Sequence, residues 1–321
     1  MPKAETKKKS SAKSSKVAGA PRMRKTTRKQ ARSKAKKEAR TQKPLVNSFK
    51  LTAQVVRSIA AHWKPLGGIV LVYLILNILF ASGISDLSSS VNSIKTDLNS
   101  NGDSAHPIVA GASAFLTLIT SSGASSSSTG SALQTVLIVL ESLVIIWALR
   151  HLLAGQKITV KAAYYNSMAP LIPFLLVAFF IIIQLLPITF GSVALSAIAS
   201  SLGTVSGLWT AVFVIVFLLL GAWSVYMVSA SIFAVYIVTL PDMQPRDALR
   251  SAKKLVQYRR WAILRRVLFL PILILLVMAV IMIPLILYAT FFAAPVFYLL
   301  GMLAILFVHA YLYSLYRGLL A

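Results

Sequence analysis

The chain has 321 residues, of which 57% are hydrophobic and 13% charged, with a mean hydropathy of +0.76. An ordinary soluble domain is about one quarter charged, so this balance excludes a water-soluble globule. The net charge of +25 also excludes an evenly mixed surface, because residues 1–64 hold 20 of the 33 Lys and Arg against Glu5 and Glu38.

There is no Cys, which removes disulfides, thiol catalysis and Cys-based metal sites. The first apolar run starts at Leu66, behind a long polar segment, and is read as an uncleaved signal anchor rather than a cleavable leader. Residues 1–46 are Lys, Arg, Ser, Ala and Thr with almost no large apolar side chain. They cannot bury enough surface to offset their conformational entropy and are expected to be a disordered polybasic tail.

Residues 47–64 read as an amphipathic helix. Phe49, Val55, Val56, Ile59 and Trp63 fall near helical spacing, with Lys50, Gln54, Arg57 and Lys64 between them and Ser48 as the expected N-cap. Such a helix directly before a span is expected in the membrane interface.

Residues 65–321 supply six runs of the length needed to cross a bilayer, about 20 residues each. They are 66–84, 132–153, 168–190, 208–240, 267–288 and 293–316. The fold expected is all-α, a polytopic transmembrane bundle with both termini inside. The longest connection, 85–131, is Ser-rich, and its apolar stretch 107–120 is read as a re-entrant or surface helix. The third run contains Pro170, Pro173 and Pro187. Residues 191–207 are expected to form a short surface helix. The fourth run, about 50 Å as a helix, must tilt, kink near Gly221 or project. Six spans place 32 of the 33 cations on one side and leave Lys95 on the other, the positive-inside pattern.

Few polar groups fall inside the runs. Glu141 is the only carboxylate there, nine residues before Arg150 and so close to mid-membrane. His309 lies eight residues before Arg317, and Asn77 and Gln184 occupy the first and third runs. Glu141, His309, Gln184 and Asn77 are thus the candidate intramembrane polar site. Read sharply, they line a cavity, carry a proton or hold a cargo head group. Read plainly, Glu141 is protonated, or bonded to Gln184, Asn77 or Ser142, and joins helices. The prolines in the third, fifth and sixth runs either mark a substrate path or are tolerated kinks. Ser224, Tyr226, Ser229 and Ser231, with Ala222, Ala230 and Ala234, read as a close-packing face.

Segment 245–266 is a second basic amphipathic helix. Pro245 suits its first turn. Ala248, Leu249, Ala252, Leu255 and Val256 repeat at helical spacing, leaving Arg250, Lys253 and Lys254 facing elsewhere. Arg246, Arg250, Lys253, Lys254, Arg259, Arg260, Arg265 and Arg266 are the candidate contacts for anionic lipid or a partner protein.

No HExxH, GxSxG, Walker loop or paired carboxylates occur, so neither an enzyme nor a bound cofactor is expected. The partners expected are anionic head groups of the inner leaflet and a membrane or cytoplasmic protein. The tail admits nucleic acid as a further partner through phosphate neutralisation. Residues 1–48 have no aromatic for base stacking, which favours lipid or topology over sequence-specific binding.

The order of motifs from Ala132 to Tyr288 carries a resemblance. The second run ends in Ala148, Leu149 and Arg150, followed by Gly155 to Ala162 and a Pro-containing third run. The fourth ends in Leu240, Pro241 and Asp242, followed by Asp247, Ala248, Leu249, Arg250, Ser251, Leu255, Val256 and Trp261. This order resembles a broad bacterial superfamily of six-span membrane proteins, which includes the membrane domain fused to some glycerophosphodiester phosphodiesterases. The resemblance implies the fold and topology and a location in the bacterial cytoplasmic membrane. The phosphodiesterase activity belongs to a separate soluble domain that has no counterpart here. The function expected is non-enzymatic, in membrane organisation or in support of another envelope process. A carrier using Glu141 and His309, and a tether for RNA or ribosomes through residues 1–43, are the alternatives.

Overall fold

The computed structural model describes residues 46–81, 128–201, 207–241, 243–257 and 259–320, and all regular elements among them are helices. The expectations for the tail 1–45 and for the stretch 107–120 lie outside the described residues. In chain order the helices are α1 Ser48–Ala61, α2 Trp63–Ala81, α3 Ser128–Leu153, α4 Val160–Ser167, α5 Leu171–Ser201, α6 Gly207–Ser231, α7 Ala234–Ile237, α8 Pro245–Val256, α9 Arg260–Tyr288 and α10 Thr290–Leu320. Six stretches are long and apolar enough to cross a membrane: Trp63–Phe80, Ala132–Leu153, Leu171–Ala194, Ala211–Ile237, Arg260–Tyr288 and Phe291–Leu320. The protein is a multi-pass helical membrane protein.

The core gathers around α3. From Glu141 to Leu152 almost every side chain of this helix is buried, the signature of a helix surrounded by others. α2 turns Leu66, Ile69, Val70, Tyr73 and Asn77 toward it, a row at helical spacing. The last turns of α10 close the other side, with Leu306, Tyr311 and Leu315 buried. α5 and α6 instead leave rows such as Phe179, Ile182, Ile215 and Leu219 exposed. Lipid-facing side chains behave this way, because hydrocarbon imposes no penalty on them.

The basic helix expected over 245–266 is shorter: it ends at Val256, and Arg260 to Arg266 open α9. Three further expectations about the helices are corrected. Residues 191–201 continue α5 instead of forming a separate surface helix. Their small, uncharged side chains carry no break signal, and Gly191 lets α6 approach, since a Cβ there would meet Leu220 at 3.1 Å. Gly221 does not end its helix: it lies inside α6, where a Cβ would touch Ile188. The fourth run breaks at Ile232 and Phe233 instead, and α7 follows as a single buried turn. Third, Asn47 rather than Ser48 occupies the N-cap position of α1, without a side-chain capping bond. Ser48 is already helical, and its carbonyl accepts from Thr52 Oγ1 at 3.0 Å.

The prolines do not interrupt their helices. α5 runs through Pro187, α9 through Pro271 and Pro284, and α10 through Pro295. The fourth run contains no Pro, so its break has another origin. Beyond it the Tyr236 and Thr239 carbonyls accept from Arg150.

α1 is held by its neighbours. The Arg266 guanidinium donates to the Val46 carbonyl from Nε at 3.1 Å and from Nη2 at 2.9 Å. Phe49 meets Phe269 edge-on at 5.1 Å, and Leu51 and Val55 are buried in the core.

The turn between α3 and α4 determines where α4 goes. Gly155 has φ +80°, the left-handed conformation that glycine adopts without a Cβ penalty. Its amide donates to Leu152 O and that of Gln156 to His151 O, both at 3.0 Å, a Schellman closure. Thr159 then caps α4 by accepting from the Ala162 amide. α4 packs back against α2, and Gly68 makes room: a Cβ there would lie 2.7 Å from Val160 Cγ2. Gly68→Ala should therefore destabilise the protein by about 1–3 kcal/mol through overpacking. Combining it with Val160→Ala, which removes the opposing methyl, should recover most of the loss in thermal unfolding in detergent.

Candidate functional site

Two polar clusters lie on α3, one at Glu141 and one at Arg150. Glu141 is 2% exposed. Its partner is Tyr164 of α4, whose Oη lies 2.9 Å from Glu141 Oε2 and 3.2 Å from the Ile69 carbonyl oxygen of α2. Burial, with the Glu141 carboxyl beside it, pushes the Tyr164 phenol up, so the phenol keeps its proton. The phenol is the donor in both contacts, a three-centre bond with the carboxyl oxygen as the nearer acceptor. A neutral carboxyl suits the other oxygen, Oε1, which is buried without a hydrogen-bond partner and would be far more costly as part of an anion. The partners expected from sequence, Gln184, Asn77 or Ser142, are bonded to other groups. Ser142 Oγ donates to the Ile138 carbonyl at 2.7 Å.

Ile69 is only five residues beyond Lys64, roughly 8 Å along a helix. Glu141 itself is near the middle of the stretch Ala132–Leu153, so the cluster joins the middle of α3 to the first half of α2.

Asn77 lies beside the Glu141 cluster, because Tyr73 of α2 is hydrogen-bonded to it and is within electrostatic reach of Glu141, whereas Gln184 and His309 are paired elsewhere. Asn77 Oδ1 accepts from Tyr298 of α10, with both side chains buried. Gln184 Nε2 donates to Ser231 Oγ at 2.9 Å, joining α5 to the end of α6. His309 Nδ1 and Tyr236 Oη lie 3.2 Å apart, joining α10 to α7. The four residues are thus bonded to different partners. Most of those partners are tyrosines, which sequence reasoning missed. The available signal was the phenol itself, since a buried Tyr needs a partner for its hydroxyl.

Arg150 forms the second cluster. Nη1 donates to the Thr239 carbonyl at 2.7 Å, and Nη2 donates to the Tyr236 carbonyl at 3.3 Å and to Thr239 Oγ1. α7 is buried, so the carbonyls at its C-terminal end cannot turn to water. Arg150 supplies the donors, and its charge complements the helix dipole. Around it Tyr236 packs against Tyr313 and Tyr316, with centroids 5.9 and 6.2 Å away.

Beside Arg150 lies a cavity of about 770 Å³ between the end of α3, the α4–α5 turn and the segment from α7 to α8. Arg150, His151, Asn166, Thr239 and Gln244 supply polar groups, and Leu143, Pro173 and Val238 supply apolar walls. His151 stacks on Trp147 at 3.9 Å, and its Nδ1 is 2.9 Å from the Trp147 carbonyl.

The basic candidates separate into two groups. Arg246, Arg250, Lys253, Lys254 and Arg265 are exposed. Arg266 is buried against Val46. Arg260 reaches Tyr226, with Nη1 2.6 Å from its hydroxyl and the guanidinium 5.1 Å from the ring centroid. Arg259 is half-buried. Among the described residues no three His, Asp or Glu side chains gather as metal ligands. Comparison with protein-family models, with curated proteins and with solved structures gives no match in any of the three.

Tyr164→Phe removes the hydroxyl that joins Glu141 to α2 and should cost about 1–3 kcal/mol of stability. Glu141→Gln should cost less, because its amide oxygen can still accept from Tyr164. The infrared carbonyl band of a protonated carboxyl should be present in the wild type and absent in Glu141→Gln. A Tyr164→Phe protein as stable as the wild type would mean that the bond contributes nothing.

Proposed function

We propose that this is a non-enzymatic, multi-pass protein of the bacterial cytoplasmic membrane with both termini inside. Its basic end engages anionic lipid head groups, and through them it organises the membrane or supports another envelope process. The six-span superfamily resemblance is part of this proposal.

One observation carries it. Arg246, Arg250, Lys253, Lys254 and Arg265 are exposed on α8 and the start of α9, against one exposed carboxylate, Asp247, on the same helix. The apolar face of α8 is not free to dip into lipid, because Ala248, Ala252 and Val256 are buried in the protein. The helix is therefore a fixed platform that presents cations. Each is worth about 1 kcal/mol near an anionic surface. Trp261, 80% exposed at the start of α9, stands where an interfacial aromatic belongs.

Trp261 also provides the assay. In proteoliposomes of a variant with the other four Trp replaced by Phe, brominated phosphatidylglycerol should quench Trp261 more than brominated phosphatidylcholine does. Changing the five exposed cations to Gln should equalise the two lipids, and added salt should narrow the difference in the unchanged chain. Equal quenching in the unchanged chain at low salt would overturn the proposal.

A carrier is the second reading, favoured by one feature: Glu141 Oε1 and Gln184 Oε1 are buried oxygens without hydrogen-bond partners. A proton carrier would give potential-driven proton uptake by proteoliposomes that Glu141→Gln abolishes. Our first reading expects uptake no greater than that of protein-free vesicles.

A further inference from the structure

We infer that the cavity beside Arg150 is a binding site for one anionic phospholipid with a hydroxylated head group, its phosphodiester at Arg150, a head-group hydroxyl at His151 and an acyl chain along Leu143, Pro173 and Val238. This rests on the proposed function, because it takes the basic end to be at a leaflet surface. It goes further in naming a single specific site, separate from the exposed cations of α8.

The cavity is polar at one end and apolar at the other, as an amphiphile is. Leu143, Trp147, Arg150 and His151 follow at intervals of four, three and one along α3, so one helix face lines it from end to end. Leu143 and Arg150 are seven residues apart, roughly 10 Å of axial length. Val238 and Leu143 are buried at the deep end, and Gln244 and Asn166 are exposed at the mouth.

Among the described residues the charge at the mouth has no carboxylate bonded to it. Arg150 is half-buried, and its bonds go only to neutral oxygens, those of Tyr236 and Thr239. A guanidinium has five N–H groups. With three engaged, two remain for an anion. His151 Nδ1 donates to the Trp147 carbonyl, which leaves Nε2 as an acceptor for a hydroxyl of the head group. Nor is a carboxylate of the described residues bonded to His151. A partly desolvated cation bonded to neutral oxygens gains from an anion that brings its own apolar body into the same cleft.

Arg150 also holds the end of α7, so its removal risks the fold. The variant of choice is Ala169→Trp, which fills the cavity from an exposed position at the α4–α5 turn without breaking a bond. The full-length protein would be reconstituted with equal parts phosphatidylglycerol and phosphatidylcholine, re-extracted, and analysed by native mass spectrometry. We expect one phosphatidylglycerol to persist on the wild type after the bulk lipid has left. Ala169→Trp should reduce its occupancy about tenfold, equivalent to about 1.4 kcal/mol, with unchanged thermal unfolding. The five-residue Gln variant of α8 and α9 should keep it. Retention in Ala169→Trp, or equal retention of phosphatidylcholine, would overturn the site. So would displacement of the lipid by millimolar inorganic phosphate, which would mark a free-anion site. Loss of the lipid in the α8 variant but not in Ala169→Trp would overturn the cavity and leave the proposed function standing.

Discussion

A polar group inside a membrane bundle has no water to turn to, and this constraint shapes α3 and all that packs on it. Glu141 and Arg150 are nine residues apart on one helix. The first requires a hydroxyl brought in from α4, and the second provides donors for the carbonyls at the end of α7. An unsatisfied group in hydrocarbon costs several kcal/mol, comparable to the whole stability of an ordinary domain. The two unusual pieces of backbone, the folded-back α4 and the single-turn α7, are both fixed by these requirements. Close helix contact does the rest, with Gly68 admitting α4 and Gly191 admitting α6.

The helices were legible in the sequence because apolar runs between basic blocks are a strong signal over twenty residues. The second run, 132–153, coincides with the observed stretch Ala132–Leu153. Pro245 begins α8 in the first-turn position its chemistry suggests. Local rules failed where a tertiary contact decided the outcome. Gly221 looked like a hinge because glycine weakens an isolated helix, but in the bundle it is a contact surface. The break fell on Ile232 and Phe233, which carry no such mark, because the buried carbonyls beyond them have Arg150 as a partner. The candidate site was legible by residue type and not by pairing. Asn77, Glu141, Gln184 and His309 each needed a partner, but Tyr298, Tyr164, Ser231 and Tyr236 lie 221, 23, 47 and 73 residues away, beyond what spacing can show.

The distribution of charge has a counterpart in the distribution of burial. Buried side chains concentrate at the end of the bundle where the cations are, in the last turns of α3 and α10 and in α7 and α8. The exposed cations of α8 thus stand on the best-packed part of the protein, whereas α5 and α6 expose long apolar rows. A well-packed basic end suits the head-group contacts proposed for it.

The sequence separations of the polar bonds bear on how the chain is made. Asn77 accepts from Tyr298, and the Val46 carbonyl accepts from Arg266, 221 and 220 residues later. A chain delivered to the bilayer from its N-terminus holds these first groups without their partners while most of the protein is still being synthesised. The early helices are therefore provisional until the last hairpin, α9 and α10, arrives to close on them. A nascent chain arrested before that hairpin presents open polar groups within the membrane, a ready mark by which quality control can tell an unfinished molecule from a finished one.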